Sequence, residues 1–174
     1  MLIIIEGIDK VGKTTLANRM VNELGFDKFE VIKKPIRISG SEIEKILTKT
    51  IETEKIYSVL PALKIIDKNK VNMLFDRFHL SEYVYGLIDR GYKNNSMFEV
   101  DKILSKFKNI ILILVNPIDI KKSSFEHGSD LTKHYEEINK FFNISRIKNK
   151  IVCTYDDFDI MINFLRREMA KWKK

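Results

Sequence analysis

The chain has 174 residues, 44% apolar and 32% charged, with 7 glycines and 3 prolines, values that exclude collagen-like and disordered classes and fit one domain. The 31 Lys and Arg against 24 Asp and Glu leave a formal charge of +7, which favours anionic partners: nucleic acid, a membrane surface or phosphorylated metabolites. A single cysteine, Cys153, excludes an internal disulfide framework and a multi-cysteine zinc site, and reads as a small buried apolar residue.

No apolar run approaches the roughly 20 residues that cross a bilayer, so no membrane span is expected. The opening run Leu2–Ile5 is cut short by Glu6, so no secretory signal is expected either. A reducing cytoplasm, a host's if the gene is viral, is the expected compartment.

In chain order, Leu2–Glu6 reads as a strand apolar on both faces and therefore central. Lys13–Leu24 reads as a helix that Gly25 stops, and Phe29–Ile32 as a second strand ended by Lys33, Lys34 and Pro35. From Ser41, an N-cap with Glu44 as its capping-box partner, helical spacing runs to about Asn69, with a break expected before Pro61. Val71–Phe75 is the third strand; helices near 79–90 and 95–107 follow, and then the most apolar run, Ile110–Val115. Asn116–Asp130 has no clean period and reads as a mobile loop. A helix from Leu131 to about Arg146, a strand Ile151–Tyr155 and a helix Phe158–Lys171 close the chain. Strands alternating with helices predict an α/β fold, a doubly wound five-stranded parallel sheet flanked by helices, with ligands at the carboxyl ends of the strands.

Gly7-Ile8-Asp9-Lys10-Val11-Gly12-Lys13-Thr14 matches G-x-x-x-x-G-K-[ST] between a predicted strand and a predicted helix, the context that motif needs. Its glycines let backbone N–H groups converge on a phosphate at the positive end of a helix dipole. Lys13, read here as an exposed loop lysine, reaches the β- and γ-phosphates, and the Thr14 hydroxyl is a ligand for the bridging Mg²⁺. ATP or GTP binding follows. Gly7, Lys10, Val11, Gly12, Lys13, Thr14 and Thr15 are the expected contacts of the ATP phosphates. The third strand runs directly into Asp76-Arg77, an acid and a guanidinium that can serve the metal shell and a transferring phosphoryl group together.

With these residues in place, the chain resembles thymidylate kinases and the related deoxynucleoside monophosphate kinases. Glu6–Thr15 looks like that family's phosphate loop, Asp76-Arg77-Phe78-His79-Leu80-Ser81 is similar to its D-R-[YF]-x-x-S motif, and Pro35-Ile36-Arg37 resembles its P-x-R. The three cover most of residues 1–90. The resemblance implies one P-loop kinase domain over 1–174 with a lid-like loop at 117–130. The reaction it implies is transfer of the γ-phosphoryl of ATP, with Mg²⁺, to a (deoxy)nucleoside monophosphate, dTMP first.

By the same resemblance Asp9 contacts the substrate sugar, Arg37 and Arg77 hold the acceptor phosphate, and Ser81 belongs to the substrate motif. Asp76 joins Thr14 at the metal, and Tyr85 places its ring under the deoxyribose, against a plainer reading as core. The catalytic set is then Lys13, Lys10, Arg77 and Asp76. The lid contains no arginine, so Lys10 is assigned as a cation built into the phosphate loop, with Lys121 and Lys122 as the lid alternative.

Two departures bear on the base. The helix before Pro61 lacks the phenylalanine and arginine that clamp thymine in the family, with only Tyr57 aromatic there, and Glu82 stands where a small or amide residue is usual.

His127 and His134 lack the neighbours of a metal site, and His79 reads either as an acceptor-pocket residue or as a cap of the helix start. The basic C-terminal face of Arg166, Arg167, Lys171, Lys173 and Lys174 reads as solvated, which makes nucleic acid a weaker partner than a small nucleotide. A homodimer is compatible with the sequence. The rival readings are a deoxynucleoside kinase, which needs a carboxylate base just after strand two where Lys33-Lys34-Pro35 offers cations, and a nucleic-acid-binding P-loop protein with a steep salt dependence. A nucleotide-binding protein without catalysis is disfavoured by the presence of Lys13, Thr14, Asp76 and Arg77.

Overall fold

In the computed structural model, which describes residues 1–30 and 41–172, β1 (Leu2–Glu6) lies at the middle of a five-stranded sheet. The other strands are β2 (Asp27–Phe29), β3 (Met73–Asp76), β4 (Ile110–Val115) and β5 (Lys150–Cys153), in the order β2-β3-β1-β4-β5 with every pair parallel. All side chains of β1, β3 and β4 are buried, as the unbroken apolar runs require of strands covered on both faces. The helices are α1 (Lys13–Leu24), α2 (Glu42–Lys68), α3 (His79–Ile88), α4 (Ser96–Leu104), α5 (Ile120–His127), α6 (Thr132–Ile144) and α7 (Phe158–Trp172). α1 packs with α7, and α3 packs with α4 and α6, so two helical groups flank the sheet. The predicted α/β architecture is the one observed.

From β1 the chain runs outward to β2 on one side and later to β4 and β5 on the other. The β1–α1 turn therefore sits where the winding changes direction, and side chains at the ends of β1, β3 and β4 meet there.

Several boundaries differ from expectation for physical reasons. α2 is continuous through Pro61. Pro61 lies on the exposed side, where water can solvate the carbonyl its ring leaves unpaired, while Ile56, Leu60 and Leu63 anchor the turns on either side in the core. β2 starts two residues earlier than expected because Asp27 N–H donates to Asn72 O at 3.0 Å and begins the ladder with β3; Glu30 lies just past its end, and 31–32 of the predicted strand fall outside the described residues.

The expectation of an unstructured loop at 116–130 is corrected, since α5 occupies its middle. Asp119 caps it by accepting from Lys121 N–H at 2.8 Å and Lys122 N–H at 3.3 Å, and Gly128 ends it in the left-handed region at φ 80°. After β5, the expected strand residue Tyr155 instead opens a 3₁₀ turn, Tyr155–Asp157, held by a capping box between Thr154 and Asp157.

Candidate active site

The phosphate loop is a strand-to-helix turn that only small residues can make at two points. Gly7 has φ 147°, and a Cβ there would lie 2.4 Å from the Val115 carbonyl oxygen, while Gly12 has φ 89° immediately before α1. Lys10 and Arg77 also hold positive φ, 62° and 72°, a strained backbone for side chains of their size.

Lys13 is not the exposed residue expected; it is 4% exposed, and its ammonium donates to the Ile8 carbonyl across the loop. Burial lowers its pKa to about 8 even though the carboxylates of Asp76 and Glu6 pull it upward. The loop thus stores a poorly solvated cation at the place where phosphate would arrive.

Opposite it, at the end of β3, Asp76 is 6% exposed and accepts the Thr14 hydroxyl at 2.9 Å on Oδ2. The same oxygen lies 3.3 Å from Lys28 Nζ on β2, which also pairs with Glu30 at 2.9 Å. Thr14 and Asp76 form a hard-oxygen pair of the sort Mg²⁺ takes from protein when phosphates and water fill the remaining positions. No cluster of three or more His, Cys, Asp or Glu suited to a metal cage occurs among the described residues.

Glu6, fully buried at the end of β1, accepts Phe78 N–H at 2.9 Å, Leu80 N–H at 3.1 Å and the Ser81 hydroxyl. It thereby caps α3 from a neighbouring strand and fixes the left-handed turn that presents Arg77. Burial pushes its carboxyl above the usual range, against the opposing effect of His79. Ser81, expected at the substrate, is 1% exposed and turned to Glu6, so its part is to hold this turn. His79 does neither of the things expected of it: fully buried, it bonds Asp101 at 3.0 Å, and Asp101 in turn accepts Ser145 Oγ at 2.6 Å and Arg146 N–H at 2.7 Å. This locks α3 to α4 and to the end of α6.

Arg77 reaches from the turn to Asp9 of the phosphate loop as an ion pair, and its guanidinium carbon lies 5.1 Å over the Tyr85 ring. Tyr85 is 5% exposed, its ring 5.0 Å from that of His134, and His134 Nε2 is 2.8 Å from Asp89 Oδ1. Burial raises the Tyr85 hydroxyl above its ordinary pKa, against the pull of Arg77.

Farther along α3, Glu82 is buried with Arg90 at 2.8 Å and accepts the Tyr92 hydroxyl at 2.8 Å, while Asn94 ties this group to Thr53 of α2 at 2.8 Å. The sequence signalled Glu82 as unusual; Arg90, Tyr92 and Asn94 lacked a motif and were missed. Lys28 and Glu30 were missed because strand two was placed too late.

On the other side of the phosphate loop is a cavity of about 380 Å³ lined by Lys10, Val11, Gly12, Asn116, Lys122 and Tyr155, among others. Lys10 and Lys122 thus share one rim. Thr14 and Thr15 are exposed at the start of α1. Arg37 lies outside the described residues.

No family model matches the sequence, and no curated protein matches it. Solved structures do resemble the fold. One is the YorR protein of Bacillus subtilis in complex with phosphorylated GDP, 19% identical over 98% of this chain and 96% of that one, with a TM-score of 0.67. Another is the deoxyadenosine kinase of M. mycoides with bound dCTP, 18% identical over 98% of this chain and all of that one, with a TM-score of 0.51. The chain has the parallel α/β fold of these proteins.

Proposed function

We propose that the chain is a nucleotide kinase that moves the terminal phosphoryl of ATP to a (deoxy)nucleoside monophosphate, with dTMP as the first candidate. The observation that carries this reading is the end of β3. There Asp76 joins the Thr14 hydroxyl at 2.9 Å, and the next residue, Arg77, turns a guanidinium into the cleft beside Asp9. In this reading a residue of the metal shell, Asp76, and an acceptor-side cation, Arg77, stand next to each other at one phosphate loop. The YorR structure with phosphorylated GDP and the kinase with bound dCTP support nucleotides as the ligand class.

Thr14 and Asp76 would hold Mg²⁺, which when bound neutralises charge on the β- and γ-phosphates. Lys13 and the N–H groups of the loop bind the same phosphates from below. The donor base would enter the cavity beside Tyr155, and Lys10 at its rim would supply a cation to the β–γ bridge as that bond breaks. An oxygen of the acceptor phosphate forms the new bond to the γ-phosphorus, the bond to the β-bridging oxygen breaks, and ADP leaves. A phosphate acceptor is already anionic, so no general base is needed; Arg77, with Arg37, would hold it in line. Tyr85 would form the floor under the sugar, and Asp9 would meet its hydroxyl. The whole chain would act as one kinase domain in the cytoplasm. No helix among the described residues is long and apolar enough to cross a membrane.

A second reading has an observation of its own. Strand two ends at Phe29, so Glu30 is a carboxylate directly after it, paired with Lys28 whose ammonium also reaches Asp76. A nucleoside 5′-hydroxyl would need such a base. Release of ADP, measured with dTMP, with thymidine and with the other monophosphates and nucleosides, separates the two. Turnover with monophosphates alone supports the first reading, turnover with nucleosides alone installs the second, and none with either refutes both.

A further inference from the structure

Asp9 divides its carboxylate between two partners from different parts of the fold. Oδ1 takes Arg77, and Oδ2 lies 3.2 Å from His127 Nε2 on the last turn of α5. His127 Nδ1 is 2.7 Å from Ser129 Oγ, which fixes the ring's orientation. All three side chains are partly exposed, at 27% for Asp9, 22% for Arg77 and 33% for His127, so a ligand can reach them.

α5 is held down by few apolar side chains, with Ile120 at its start packed against the core. Its phenylalanine, Phe125, is 88% exposed, and among its described side chains the polar Ser123 is the buried one. A segment with so few apolar contacts opens locally at low cost, so a polar contact at its tip governs how long it stays closed.

We propose that His127 and Asp9 form the latch of the lid, and that Asp9 couples the latch to the acceptor site. This rests on the kinase reading above. When an acceptor phosphate draws the Arg77 guanidinium, the Asp9 charge no longer neutralised by Arg77 falls on His127, and α5 is held more firmly over the cleft. Acceptor binding then tightens donor binding, and by linkage the donor tightens the acceptor equally. The lid's contribution to this coupling is made by a histidine that positions.

Two measurements test this on the full chain. Hydrogen exchange of the 120–127 amides in the protein without nucleotide should quicken about tenfold in both H127A and D9N, with no further change in the double variant, and return toward wild type in H127Q, whose amide nitrogen occupies the Nε2 position. Unchanged exchange in H127A overturns the latch whatever the protein's substrate is. Calorimetry of a non-hydrolysable ATP analogue with and without dTMP should show about tenfold tightening in wild type and less than about twofold in H127A. Equal tightening in both overturns the coupling. If dTMP does not bind at all, the proposed acceptor is wrong and the coupling through its phosphate falls with it, while the exchange result still decides the latch.

Discussion

Lys13 is the residue at which function and stability pull in opposite directions, and its replacement by methionine measures both. The ammonium is 4% exposed, and burial has brought its pKa from 10.5 to about 8. At 1.36 kcal/mol per pH unit, holding it charged at pH 7 costs the unliganded fold about 3 kcal/mol. K13M keeps the length and apolar stem, removes the charge, and loses the hydrogen bond to the Ile8 carbonyl, worth about 1 kcal/mol. Asp76 is not orphaned by the change, because Thr14 and Lys28 still contact it.

The variant should therefore be more stable by about 2 kcal/mol at pH 7, raising Tm by roughly 4–8 °C for a chain of this size, while kcat falls about 10³-fold. The pH dependence has a definite sign. Below pH 8 the lysine is charged in both folded and unfolded chains, so the penalty is complete; between about 8 and 10.5 the folded chain releases its proton first, and wild-type stability recovers relative to K13M. Thermal unfolding of both proteins from pH 7 to 10, without nucleotide, checks this. A K13M protein that melts below wild type at pH 7, or a gap that does not change with pH, refutes the reasoning.

Four further outcomes are expected. K10A should lower kcat about 10²-fold with little change in either KM, a loss confined to the transition state, and K121A with K122A should do less; steady-state kinetics of the three variants decides it. R37A should raise the KM for the monophosphate about 10–100-fold, the equivalent of a charged hydrogen bond, and leave that for ATP nearly unchanged. Y85A should narrow the preference for dNMP over NMP, measured as the ratio of kcat/KM values alongside a melting curve that shows the variant folded. Burial pushes the Cys153 thiol up to about 12, so iodoacetamide at pH 8 should leave the native chain unmodified for hours and label it promptly in denaturant, as mass spectrometry would show.

The architecture was legible because its signals are local. Leu2–Ile5 and Ile110–Val115 are unbroken apolar runs, and only strands buried on both faces use such runs at that length. The phosphate loop was legible for the same reason, since glycine spacing, lysine and threonine are contiguous in the chain. α5 was also written locally, in Asp119 as N-cap and Gly128 as C-cap, but its weak apolar period hid it behind a loop-like composition.

What the tertiary structure alone decided concerns pairs distant in sequence. Glu6 caps a helix more than seventy residues away, Thr14 meets Asp76 across 62 positions, and His127 reaches Asp9 from more than a hundred positions away. The burial of Lys13 belongs to the same class, because the depth of a side chain depends on everything packed around it. Local sequence sets which φ/ψ regions and which faces a segment can use. Long-range contacts, burial and the charge balance of a cleft depend on how the five strands are ordered, and that order brings the ends of β1, β3 and β4 to one place.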